Sequence, residues 1–270
     1  MQKMGSEHMK RSKLHSSFLA AALLWSVPAS AFEDASYAAI PDTAQIRSDT
    51  IQAADDALRA TESLTTSVSF AFDYLTAFVS EANPPDFLTH AELKATTARL
   101  EGVRSILMVA SNGELMHDAY SFPAPSINLG ERQYVQDALA SPGLVLGKAV
   151  LGKTSGVPFV PISTFKPALG AVLAAIVDTR TMREPLNWCD ALCAGAVLTL
   201  EGDVVASSPP ESTIPDEIIS HVTSSSERSG TFVYERENFK VLIAFRKSER
   251  FPITVLASHS LTPSSALATQ

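Results

Sequence analysis

The segment Glu131-Arg132-Gln133-Tyr134 sets a guanidinium and a phenol two residues apart at the start of a short helix-like run, Glu131 to Leu139. A guanidinium keeps its charge and presents a planar fork of donors that matches a carboxylate or phosphate. Arg132 and Tyr134 are therefore candidate contacts for a small anion; the plainer reading of Arg132 is a solvated arginine near a helix start. Downstream, Gly147 to Thr154 satisfies the phosphate-loop pattern G-x-x-x-x-G-K-[ST]. That chemistry needs a loop of backbone N–H groups leading straight into a helix. Here the middle of the pattern is strand-like, and Pro158 and Pro161, three apart, would interrupt a helix. Nucleotide hydrolysis is not expected.

Other catalytic patterns are missing. A serine hydrolase needs a Gly-x-Ser-x-Gly elbow, and no such pentapeptide occurs. His90, His117, His221 and His259 are scattered with no His-x-x-x-His pair, so neither a zinc enzyme nor any other metal site is expected. By strand alternation His117 should face solvent, and Asp55-Asp56 should form the solvated face of a helix. Cys189 and Cys193 are the two cysteines. Their spacing fits a local disulfide in an oxidising compartment. The alternatives are a metal pair, for which the nearest histidine in sequence is His221, 28 residues past Cys193, and two free thiols. No enzymatic activity and no cofactor are expected.

The compartment is set by the first residues. Lys3, Lys10, Arg11 and Lys13 precede an apolar run from Phe18 to Val27, then Pro28-Ala29-Ser30-Ala31. This is the plan of a secretory signal peptide, residues 1–31, cleaved after Ala31. An uncleaved anchor is the weaker alternative, because spanning a bilayer takes about 20 apolar residues. Cleavage would leave 17 basic and 28 acidic side chains, a net charge of −11 (21 − 4 and 29 − 1). That balance argues against nucleic acid or an anionic membrane surface as a partner. The expected product is periplasmic.

The elements that must position Arg132 and Tyr134 are legible in the periodicity. Thr43 to Ser80 has no Gly or Pro and repeats apolar residues from Ile46 to Val79 at helical spacing. Asp42 or Thr43 can cap this helix, 43–82, and Asn83-Pro84-Pro85 stops it. At 1.5 Å per residue it would measure about 57 Å, enough to run along two stacked domains as a spine. A break near Thr65-Thr66-Ser67 is the alternative. Thr89 to Leu100 reads as a second helix, with Leu93 and Leu100 inward. Strands follow at Arg104 to Ala110 and Glu114 to Tyr120 around the turn Asn112-Gly113. After the helix of Glu131 to Ala140, three more are expected at Leu144 to Val150, Val157 to Thr164 and Gly170 to Val177.

The same order then returns. Strands at Gly195 to Leu200 and Val204 to Ser207 flank Glu201-Gly202-Asp203, Pro215 to Val222 is helical, and strands follow at Gly230 to Tyr234, Phe239 to Phe245 and Ile253 to Ala257. The two turn glycines stand 89 residues apart (202 − 113), the mark of a duplicated domain. The fold class is α+β: a long N-terminal helix with two tandem antiparallel-sheet domains, 86–182 and 188–258, and a disordered tail, 259–270.

From about Ala44 to Ser258 this plan resembles the double Cache extracytoplasmic sensor domains, two PAS-like sheets stacked along a long helix. The resemblance rests on the strand-turn-strand around Asn112-Gly113-Glu114, on Leu129 to Tyr134 before a short helix, and on Gly147 to Ser163. It implies that the first, membrane-distal domain binds a small carboxylate or amino-acid-like ligand, with Arg132 on the carboxylate and Tyr134 beside it. In amino-acid-binding members an upstream tyrosine, a further aromatic and an aspartate ending the last strand complete the pocket. Tyr120 fits the first and Asp178 the last, although Asp178 could equally cap a following helix. Val135 stands where the further aromatic would be. Members usually continue through a membrane helix into a kinase, cyclase or chemoreceptor signalling region. This sequence has none, so it is expected to act on a membrane-bound signalling partner or to be a detached relative, with a homodimer through the long helix also open. The alternative function is a periplasmic interaction or structural protein that keeps the fold without a ligand.

Overall fold

Buried positions at Thr50, Ala54, Ala57, Thr61, Thr65, Val68, Phe72 and Leu75 recur every three or four residues, so one stripe of the first helix carries its packing. A computed structural model describes residues 32–34, 41–189, 191–210, 212–236 and 239–261. The expected signal peptide, and the expected tail beyond Leu261, lie outside the described residues.

Helix α1 (Pro41–Ala82) is unbroken over 42 residues, about 63 Å. It begins at Pro41, so Asp42 and Thr43 lie within its first turn and not ahead of it. The threonines expected to weaken it are accommodated by back-bonding: Thr61 Oγ1 donates to the Ala57 carbonyl and Thr65 Oγ1 to that of Thr61, at 2.8 and 2.7 Å. Asn83 ends it in the left-handed region (φ 41°), its N–H donating to the Val79 carbonyl. Helix α2 (Asp86–Thr97) turns back and buries Leu93.

The first sheet contains β2 (Val103–Ala110), β3 (Leu115–Asp118), β4 (Leu144–Leu146), β5 (Val150–Leu151), β6 (Pro158–Lys166) and β7 (Ala171–Asp178). Its order is β3-β2-β7-β6-β4, with β5 also on β6, all antiparallel. The single strand expected from Leu144 to Val150 is divided into β4 and β5. Pro161 of β6 has no N–H to give to that neighbour; its carbonyl takes the Gly147 N–H at 2.9 Å, and a side chain on Gly147 would meet the proline ring. Helix α3 (Gln133–Ala140) covers one face of this sheet.

The second sheet contains β8 (Cys193–Leu198), β9 (Val204–Ser208), β10 (Ser229–Arg236), β11 (Phe239–Lys247) and β12 (Thr254–Ser260). With β1 (Phe32–Asp34) added beside β10, its order is β1-β10-β11-β12-β8-β9. Set aside β1 and count β4 and β5 as the one strand they divide, and each sheet runs second, first, fifth, fourth, third in its own chain order. The duplication read from the turn glycines is thus a duplication of topology. β12 reaches Ser260, two residues into the expected tail, and β1 was not foreseen. Helices α4 (Thr179–Arg183) and α5 (Asp216–Ser224) complete the chain.

Helix α1 serves both sheets. Ala53 and Ala54, small enough for close approach, pack with Ala244 and Ala257 of the second sheet. Phe72 and Leu75 share a core with Ile106, Ile162 and Leu173 of the first, and this same core continues into Val197 and Val255 of the second. Met182 and Leu186, between the sheets in sequence, are buried in it as well. Two expectations are corrected here. Asp55 is not simply solvated: Arg246 Nε of β11 donates to its Oδ1 at 2.5 Å and Nη2 to its Oδ2 at 3.3 Å. His117 is not solvent-facing: its side chain is only 12% exposed, 3.9 Å from Asp86, and burial holds the imidazole below its ordinary pKa.

Candidate functional site

Strand alternation gives the first sheet two unlike faces. Leu173, Ala175 and Val177 of β7 point into the core shared with α1. Val172, Ala174 and Ile176 point the other way, toward α3, together with Val109, Phe159, Tyr134 and Val135. Asp178 follows in the same phase and therefore belongs to the α3 face.

The approach of Arg132 to this face is fixed by the β2–β3 turn. Gly113 has φ +86°, and its carbonyl accepts the Leu129 N–H at 2.6 Å. Asn128 donates its amide to the Asn112 carbonyl at 3.0 Å and accepts the Gly130 N–H at 2.8 Å. The chain is thereby held against the hairpin up to Arg132, which is the residue preceding α3 and not, as expected, a member of it (φ −75°, ψ 128°). From there the guanidinium reaches β5, Nη2 donating to the Leu151 carbonyl at 3.2 Å. Lys153 fixes the same neighbourhood: it pairs with Glu131 at 2.6 Å and donates to the Asn128 carbonyl at 2.9 Å. This lysine holds the Glu131 carboxyl below the usual carboxylate range. The lysine of the phosphate-loop pattern is thus bound to a carboxylate, and the pattern lies on β5 and a turn with no helix after it.

Tyr134 is 4% exposed and packs edge-on against Phe159, ring centroids 6.0 Å apart. Burial pushes its phenol up to about 12, so it is neutral and can only donate or accept a hydrogen bond. Its carbonyl accepts from Ser163 Oγ at 2.8 Å, which seats α3 on β6.

Asp178 does cap the next helix: Oδ1 accepts the Arg180 N–H at 2.8 Å. The Arg180 side chain also pairs with it, at 3.3 Å, and depresses its pKa. Leu151 of β5 pairs with Pro158 of β6, and Phe159, next along, pairs with Asp178 of β7. Leu151 and Asp178 are therefore two strand spacings apart, roughly 10 Å; the Gly152 N–H turns toward Val157 and β6, so the Leu151 carbonyl, with Arg132 on it, lies at the outer edge of β5. Between and around them Leu107, Ile127, Val150 and Ile176 are only half-buried. Tyr120 is not part of this group; it is 84% exposed.

Two clefts border these residues, one of about 1210 Å³ that includes Asp178 with Arg104, Trp188 and Cys193, and one of about 970 Å³ that includes Tyr134 with Lys148 and Arg250; Arg132 lines neither. Across the latter Lys148 pairs with Asp203, in the turn between β8 and β9, at 2.7 Å. Cys189 and Cys193 are disulfide-bonded, with Cα atoms 5.6 Å apart. Sequence order pointed to His221 as their nearest imidazole, but the pairing of β12 with β8 sets His259 opposite Cys193. Only strand register could have found that neighbour.

No protein-family model matches this sequence, and no curated protein does. Solved structures do match. The extracellular domain of rpHK1S-Z16, assigned as a histidine kinase, superposes with a TM-score of 0.66 at 18% identity, over 84% of this chain and 99% of that one. The ligand-binding domain of the Campylobacter jejuni chemoreceptor Tlp3, solved with L-valine, gives 0.56 at 12% identity, over 81% and 94%. That of the Pseudomonas aeruginosa PAO1 amino-acid chemoreceptor PctC, solved with GABA, gives 0.57 at 15% identity, over 82% and 100%. The chain has the double Cache fold of sensory ligand-binding domains.

Proposed function

We propose that the protein is a periplasmic sensor module whose first domain recognises a small carboxylate or amino-acid-like ligand. The observation that carries this reading is a half-buried apolar floor on the α3 face of the first sheet, with Arg132 held at the β5 edge and Asp178 at the end of β7. A cation and an anion at the borders of one apolar floor suit a ligand with a carboxylate at one end and an amine at the other, with Arg132 leaving the Leu151 carbonyl to reach it. Tyr134, buried and neutral, would wall the site, and Tyr120 would join only if the segment after β3 folded over the ligand. Asp178 would trade Arg180, 84% exposed, for the ligand amine. The solved relatives with L-valine and GABA support this class of ligand. Helix α1, which packs on both sheets, would carry the change toward a membrane-bound signalling partner. Its outer face, with Phe70 and Tyr74 exposed, would form a homodimer.

One observation favours the second reading, an interaction or structural protein without a ligand: Phe159, Tyr134 and Val135 already fill the centre of the face. A thermal-shift screen of carboxylates, amino acids and amines separates the two. A ligand that raises the melting temperature of the wild type but not of Arg132→Ala supports the sensor. Absence of any shift across these classes supports the interaction protein.

A further inference from the structure

We propose that reducing the Cys189–Cys193 disulfide uncovers a site for a thiophilic divalent cation, Zn2+ foremost, held by the two thiolates and His259. The inference stands apart from the ligand site on the first sheet. One donor atom from each of the three residues lies within 4.8 Å of the other two. His259 and Cys193 are directly opposed on β12 and β8, where Cβ atoms on one face stand about 5 Å apart. The short loop from Cys189 to Cys193 brings the second sulfur to the same place, with Cα atoms 5.6 Å apart.

The imidazole is already in the tautomer a metal needs. His259 Nδ1 lies 2.7 Å from the Ser260 carbonyl, which can only accept. Nδ1 therefore carries the proton and Nε2 keeps its lone pair, the usual way a metal-binding histidine is oriented by a carbonyl behind it. Bonds of about 2.3 Å to sulfur and 2.0–2.1 Å to nitrogen put tetrahedral donors roughly 3.3–3.8 Å apart. The histidine nitrogen, already within 4.8 Å of both sulfurs, needs to close by only about 1–1.5 Å, while the two sulfurs, bonded to each other in the disulfide, move apart once it is reduced. Two thiolates, a neutral imidazole and a dication sum to zero charge, which suits a site whose Cys193 is buried. A fourth position stays open for water.

Disulfide and metal exclude one another. An external dithiol supplies two electrons and two protons, leaving as its own disulfide, and converts the cystine to two thiols. The cation then takes both as thiolates and releases the two protons to solvent. His259 lies 6.1 Å, ring to ring, from Trp188, which packs against the cluster that Ala53 and Ala54 of α1 form with Ala244 and Ala257. The exchange thus takes place one side chain away from the helix that joins the two sheets.

The test uses the full chain, reduced with a phosphine, freed of reductant without air and titrated with Co2+ as an optical stand-in. The expected result is one Co2+ per chain, with thiolate-to-cobalt charge transfer and the intense visible bands of tetrahedral cobalt, both erased by Zn2+. Zn2+ should raise the melting temperature of reduced protein and leave oxidised protein unchanged. His259→Gln, which keeps both cysteines, should weaken Co2+ binding by more than about tenfold, since even the loss of a supporting partner costs 10- to 100-fold. Cys189→Ser should lose the charge-transfer band. No such band in reduced wild type, equal affinity in His259→Gln, or equal uptake by oxidised protein would each overturn the proposal.

Discussion

Gly113 and Gly130 meet so closely that a Cβ built on Gly113 would lie 2.5 Å from the Gly130 Cα. The contact locks the segment leading to Arg132 against the β2–β3 turn. Gly113 also has φ +86°, where an L side chain is strained. Gly113→Ala is therefore expected to destabilise the fold by more than about 1 kcal/mol and to blunt any stabilisation by ligand. Gly156→Ala is the control, with φ +63° but nothing within 4 Å of the added carbon. Chemical denaturation of both variants gives the comparison, and equal losses would show that the close approach contributes nothing.

Val135 stands where amino-acid-binding relatives are expected to carry an aromatic. It does not border the open part of the face: it is completely buried with Val109, Leu129, Ala138 and Val172. Val135→Tyr should therefore overpack this layer and lower stability by about 1–3 kcal/mol, with no gain in amine affinity. Denaturation and ligand-dependent melting measure the two effects. A variant as stable as wild type would show room at this position that the packing does not have.

His117 gives the stability a pH dependence of definite sign. Burial, working against Asp86, lowers its folded pKa below the ordinary 6.5. The unfolded state then binds the proton more readily, so the contribution is full above the unfolded pKa and is lost as pH falls through the folded one. His117→Asn should remove this component: the difference in unfolding free energy between wild type and variant should narrow on acidification from about pH 7 to pH 5. A difference that stays constant across that range would exclude the assignment.

Local signals carried much of this fold into view. Asn112-Gly113 and Glu201-Gly202-Asp203 declare their turns because positive φ demands glycine, and the helical period of α1 is plain over its whole length. Relations between strands were harder, because register is decided by pairing that no short window contains. The division of β4 from β5 needed the contact of Gly147 with Pro161, and the approach of His259 to Cys193 needed the β8–β12 ladder. The same limit applied to charges: Asp55 reads as a solvated helix residue until Arg246 arrives from 191 residues away. For the candidate site, Arg132 and Asp178 could be named from sequence, and with Asp178 its cap on α4, but not that Tyr120 would point outward.

The outer face of α1 supplies the last prediction. Arg59, Ser63, Ser67, Phe70, Tyr74, Ala77 and Glu81 are all exposed and follow one another in steps of three and four, the spacing of a helix–helix seam. Phe70 is 69% exposed and Tyr74 47%, side chains that gain most by being covered. A second copy meets the requirement that the partner present the same repeat, since a two-fold axis sets identical stripes against each other. Sedimentation of the wild type should then show a concentration-dependent dimer. Phe70→Glu should be monomeric at the same concentrations while melting as the wild-type monomer does, because the substituted side chain makes little of the core. A wild type that remains monomeric at the highest accessible concentration would remove the seam from the signalling path and leave α1 to act only through the two sheets on which it packs.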